Sequence, residues 1–130
     1  MYRRTDLEWE QLHNAAVYHL VTLAREQSRC DYTELNRELT LATGLPGFDY
    51  SQGAERAAVG RLLGEISRQS HAEHGIMLSA LVTHKGSNDE GAGFYKLAAD
   101  LGEMPTRPTA DQKLQAMSIQ VNKVYAHYRH

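Results

Sequence analysis

Apolar positions recur at steps of three and four along most of the chain, and a single run breaks that rhythm. Trp9, Leu12, Ala16, Leu20 and Leu23 make the first stripe. Thr5 and Glu8 stand before it as a capping box, the threonine oxygen taking a free amide while the glutamate reaches back. This predicts a helix over about residues 6–28. Asp31 with Glu34 repeats the start signal, Leu35 and Leu39 share a face, and Gly44 stands where a left-handed closing residue is wanted. A short second helix is predicted there. The stretch 44–53 is rich in glycine, proline and aspartate, too irregular for a regular element and long for the turn of a helix-turn-helix. A third helix over about 54–74 follows from the stripe Ala58, Leu62, Leu63 and Ile66, with Gly75 to close it.

The run that breaks the helical rhythm is Met77 to Thr83, short and almost wholly apolar, which predicts a buried strand. Lys85 to Gly91 has the composition of a flexible, wing-like loop. Helical spacing then returns in Phe94, Leu97, Ala98 and Leu101, with Gly102 after them, so any returning strand of a wing is short or absent. Pro105 and Pro108 stiffen a connector, and Thr109 caps a last helix with the seam Leu114, Met117, Val121, Val124 and Tyr128. That seam needs a surface to cover. Helix 1 offers one in Val17, Val21 and Ala24, so the two are expected to pack within one chain, giving a monomer or a weak homodimer.

The expected fold is mainly α with a small β element: a winged helix-turn-helix-like core over residues 28–85, an N-terminal helix before it and an added C-terminal helix over 109–128. At 130 residues and 42% hydrophobic composition the chain suits one domain with one core. Its one cysteine, Cys30, allows no internal disulfide, and no apolar run approaches the length of a membrane span, which together suggest a cytoplasmic protein.

Charge sharpens the picture. The net of −2 argues against a protein that coats DNA over a broad surface. Residues 1–53 carry five basic and eight acidic side chains and 86–103 one and four, whereas 54–85 carry four and three and 104–130 four and one. Contact with nucleic acid would therefore be local, through Arg56, Arg61, Arg68 and Lys85.

Asp31-Tyr-Thr-Glu-Leu35, Glu55-Arg-Ala-Ala-Val-Gly-Arg-Leu-Leu63 and the run Leu78–Thr83 resemble the DNA-binding half of the alkylguanine-DNA alkyltransferases and alkyltransferase-like proteins. The likeness covers about residues 28–85. It implies that the third helix enters duplex DNA, that Tyr32 turns the phosphate of an extruded nucleotide, and that Arg56 fills the vacated place in the stack. Two departures shape the reading. Leu81-Val-Thr-His-Lys85 stands where the family has Pro-Cys-His-Arg, so no acceptor thiol is available for alkyl transfer. Arg56 is one residue further from Val59-Gly60 than the family's arginine, a rotation of about 100° on a helix.

Other constellations carry less. His71 and His74 share a helix end and could join His84 or Asp89-Glu90 around a metal, yet histidines also suit the negative end of a helix dipole. Glu65, Ser79 and Lys85 loosely resemble a nuclease set but lack its carboxylate spacing, and the glycines of 86–93 lack a following Lys-Ser or Lys-Thr. No catalytic residue, metal or cofactor is assigned. The reading is a non-enzymatic, winged-helix reader of duplex DNA, regulatory or lesion-sensing, with Tyr32, Arg56, Arg61, Arg68 and Lys85 as contacts. Its alternatives are a module that binds a partner protein without nucleic acid, and a metal-dependent nuclease. Crowding of the basic face by Asp89, Glu90, Asp100 and Glu103 would favour the partner-binding module.

Overall fold

The computed structural model describes residues 3–83 and 92–129. Three of its helices begin at reciprocal caps. Thr5 accepts from the Glu8 amide at 3.1 Å while the Glu8 carboxylate takes the Thr5 amide at 2.9 Å, opening α1 (Asp6–Arg25). Asp31 and Glu34 do the same for α2 (Tyr32–Thr43), and Thr109 with Gln112 for α5 (Ala110–His127). Each such cap stabilises its helix by about 1 kcal/mol. The long α3 (Gly53–His74) starts without a side-chain cap at Gln52 and closes on Gly75 at φ 70°. The fourth helix, α4 (Ala92–Asp100), ends in a Schellman turn in which the Glu103 amide reaches Ala98 O at 2.8 Å and the Gly102 amide reaches Ala99 O at 3.1 Å.

Helix α1 stops three residues before the predicted end. Gln27 turns left-handed at φ 53°, and the Ser28 amide closes back on Leu23 O at 2.9 Å. Of the predicted stripe, Trp9, Leu12, Ala16 and Leu20 are buried and form one wall of the core with Ala24, while Leu23 is only partly buried. Against it pack Leu35 and Leu39 from α2 and Ala58, Leu62 and Ile66 from α3.

The strand expected over Met77–Thr83 is not what forms. Leu78–Leu81 is a 3-10 turn, and only Val82–Thr83 is extended, as β2. It pairs in parallel with β1 (Cys30–Asp31), Cys30 opposite Val82, an element the hydrophobic pattern did not announce. The reason lies in buried side chains. The Met77 amide donates to Gln120 Oε1 at 3.2 Å, the Leu78 amide to Ser70 Oγ at 3.2 Å and the Ser79 amide to Ser67 Oγ at 3.0 Å. Three successive amides thus find partners on α3 and α5, and a run that would otherwise need a sheet is satisfied without one. The order helix, helix, strand holds; the segment expected as a wing lies outside the described residues.

Helix α5 lies chiefly on the 3-10 turn and to a lesser extent on α1. Met117, Val121 and Val124 of its predicted seam are buried, whereas Leu114 is 58% exposed and Gln120 takes an inner place. The fold is mainly α with a small β element. No described helix is long and apolar enough to cross a membrane.

Candidate functional site

The outer side of α3 is built differently from its buried side. Arg56, Gly60, Gly64 and Arg68 follow one another at four-residue steps and line a single cleft. The two arginines stand about 18 Å apart along the helix, some five base steps of one nucleic-acid strand. The two positions between them on that row carry no side chain, with Val59 and Leu63 beside them, and a Cβ added at Gly60 or Gly64 would meet nothing within 4 Å among the described residues.

The cleft encloses about 720 Å³. Its far wall is α4, which contributes Phe94, Lys96, Leu97 and Asp100, and its floor is Val82 with Leu63. Among the described lining residues, three cations, Arg56, Arg68 and Lys96, stand against one carboxylate, Asp100. That carboxylate stands 3.7 Å from Arg68, and both side chains are half exposed, so the attraction is shallow. Positive charge thus exceeds negative among the described lining residues, on a chain of net charge −2.

Tyr32 and Tyr50 close the cleft at its other end. Tyr32 is placed there by the Asp31 cap, being the first residue of α2. Tyr50 comes from the loop 44–52 and lies edge-on to it, with ring centroids 6.1 Å apart. The Tyr50 hydroxyl donates to the carbonyl of Tyr32 at 3.0 Å, and Arg56 Nη1 donates to the carbonyl of Tyr50 at 2.7 Å. Burial, with smaller effects from Tyr32, Cys30 and Asp31, raises the Tyr50 phenol above its ordinary pKa, so it remains a donor.

The loop that carries Tyr50 is held from several sides. Asn36 donates to Phe48 O at 2.9 Å and accepts from the Phe48 amide at 2.8 Å. Gly47 passes so near that a Cβ would come within 2.8 Å of Asn36 Oδ1. Arg4 lies 4.2 Å over the Phe48 ring while forming a two-pronged bond to Glu55 at 2.9 and 3.0 Å. The Asp49 carboxylate accepts from Ser51 and Gln52, which holds its pKa below the ordinary value.

Of the contacts expected from sequence, Tyr32, Arg56 and Arg68 line this cleft together. Arg61 does not; its Nε donates to Glu65 Oε1 at 3.1 Å, one turn along α3. Lys85 lies outside the described residues, as do His84, Asp89 and Glu90. Among the acids expected to compete, Asp100 reaches the cleft and Glu103 does not. Glu103 instead meets His71 Nε2 at 2.9 Å and Lys123 Nζ at 3.5 Å. Burial raises the Glu103 carboxyl, and these partners more than offset that, leaving it below its ordinary pKa. His74 stacks on His127 with centroids 4.3 Å apart. Among the described residues no group of three or more histidine, cysteine or acidic side chains is arranged to hold a metal.

Glu65, the carboxylate of the nuclease alternative, accepts from Arg61 at 3.1 Å and from the Trp9 indole at 3.0 Å. Cys30 is buried, and its thiol is pushed up to about 12 by that burial and by Glu34 and Asp31, with Arg29 opposing. The thiolate that nucleophilic chemistry requires is suppressed. Lys96 and Tyr50 are cleft residues that sequence reading passed over. Lys96 had a signal, a lone cation between the apolar positions Phe94 and Leu97 of a predicted helix. Tyr50 had none, because nothing local ties a residue in a turn-rich stretch to the start of α2. No protein-family model, curated protein or solved structure matches the chain.

Proposed function

We propose that the chain is a non-enzymatic reader of duplex DNA that applies the outer face of α3 to the nucleic acid, in a regulatory or lesion-sensing role. One observation carries the reading: the Arg56-Gly60-Gly64-Arg68 stripe walls a cleft with Lys96 opposite and Tyr32 at its end. Arginines at either end of a row whose two middle positions are glycines suit a phosphate backbone, which brings closely spaced negative charge and needs close approach. The buried Cys30, its thiol pushed up to about 12, suits binding better than nucleophilic chemistry. The sequence likeness to the alkyltransferase-like proteins points the same way and adds the lesion-sensing version.

The test is binding to random duplex and to single-stranded DNA across a salt series. Contacts by Arg56, Arg68 and Lys96 give a slope of log affinity against log salt of about −2.7 on duplex, at about −0.9 per phosphate neutralised. Binding that ignores salt, or no binding at low salt, rejects the reading.

A further inference from the structure

We propose that Tyr50 is a positioning residue of this interface, holding Tyr32 and Arg56 at a set separation so that the loop 44–52 serves as part of the binding surface. The inference rests on the reading of the cleft as a DNA interface.

Tyr32 and Arg56 belong to different helices, and the chain between them runs through an irregular loop. Left to itself, such a loop would let the two side chains drift. Tyr50 bridges them at both of its ends: the phenol donates to the Tyr32 carbonyl at 3.0 Å, and its own carbonyl accepts from Arg56 at 2.7 Å. The ring also supports Tyr32 edge-on. The loop can act as a strut because it is rigid where it meets the body, through both bonds of Asn36 to Phe48, the close passage of Gly47 and the Arg4 clamp on Phe48 and Glu55. Holding contact groups in place before the partner arrives removes an ordering cost from binding.

The experiment is a double-mutant cycle on the full chain, with duplex affinity and salt slope measured for wild type, Tyr50→Phe, Tyr32→Ala and the double variant. Tyr50→Phe deletes one hydroxyl and keeps the ring, so the fold is retained. The expected result is a loss of about fivefold in affinity, the scale of one hydrogen bond. The salt slope should not change, because no phosphate contact is removed. In the Tyr32→Ala background, Tyr50→Phe should cost clearly less than in the wild type, since the part of its effect that passes through the Tyr32 ring is gone. An unchanged affinity for Tyr50→Phe, or a cost that adds in full to that of Tyr32→Ala, overturns the proposal and leaves the DNA reading standing. Absence of salt-dependent binding by the wild type overturns the DNA reading and this proposal with it.

Discussion

Helix α3 carries polar groups on two sides and uses them in opposite ways. On the inner side, Ser67 and Ser70 are buried, and their hydroxyls take the amides of Ser79 and Leu78. Ser67 and Ser79 are further joined oxygen to oxygen at 2.5 Å, and Ser70 also donates to Ile76 O at 2.8 Å. On the outer side, Arg56 makes one bond to a loop carbonyl and Arg68 one loose ion pair, while Gly60 and Gly64 leave space. A guanidinium has five donors, so both arginines keep most of their capacity. Polarity alone therefore does not mark a site. The inner hydroxyls are consumed by the fold, whereas Arg56 and Arg68 keep donors that no described residue takes.

The largest expected effect separates the two sides outright. Replacing Arg56, Arg68 and Lys96 together with alanine should lower duplex affinity by about a hundredfold or more at moderate salt and remove most of the salt slope. Stability should hardly move, since exposed substitutions of this kind stay within about 0.5 kcal/mol each. Anisotropy titrations and a urea melt on the same samples check both halves. A variant that binds as before would place the contact surface elsewhere.

The inner side should respond in the reverse sense. Ser70→Ala strips the buried Leu78 amide of its partner, at a cost of about 1–3 kcal/mol. The denaturant midpoint should fall while the salt slope of binding stays as it was. Gln120 sharpens the point, because its Oε1 serves the Met77 amide while its buried Nε2 has no partner among the described residues. Only half of that side chain is repaid, so loss of the Met77 bond should be felt less in Gln120→Met than loss of the Leu78 bond in Ser70→Ala.

A smaller effect belongs to the clamp at the N-terminal end of α3. The two-pronged Arg4–Glu55 bond holds the Glu55 carboxyl below its ordinary pKa, chiefly through the hydrogen bonds from Arg4. A carboxyl lowered in the folded state contributes stability that is fully present above its unfolded value, near 4.5, and is lost as pH falls through the folded value. Arg4→Met should therefore cost on the order of 1 kcal/mol at neutral pH and less with acidification, read from thermal midpoints at several pH values.

How far the sequence announced this structure follows from the range of the interactions. Thr5 with Glu8, Asp31 with Glu34, and Thr109 are local signals, and their helices begin where expected. The stripe of α3 and the glycines at 44, 75 and 102 are equally local, and all three glycines turn left-handed. Met77–Thr83 misled because its apolar composition was plain while its hydrogen-bond partners, Ser67, Ser70 and Gln120, lay elsewhere in the chain. In the cleft, Arg56 and Arg68 were visible as cations off the apolar stripe. Arg61 looked equivalent by composition, but Glu65 four residues on gives it a partner on its own helix. Lys96 and Tyr50 join only because α4 and the loop 44–52 fold toward α3.

The smallest expected effect tests the outer side most directly. Glycine inside a helix is less favourable than alanine by about 0.5–1 kcal/mol, and a methyl at Gly64 meets nothing within 4 Å among the described residues. Gly64→Ala should therefore stabilise the chain by about that amount, a sign opposite to that of Ser70→Ala on the same helix. If a nucleic-acid backbone approaches α3 between Arg56 and Arg68, the added methyl stands in its way. Duplex affinity should then fall although stability rises, with the salt slope little changed, because the cations at either end are intact. Gly60→Ala, one turn nearer Arg56, should behave alike. A Gly64→Ala protein that is more stable and binds duplex as tightly as the wild type would show that nothing approaches this stretch of the helix, and that the arginines act without close contact between them.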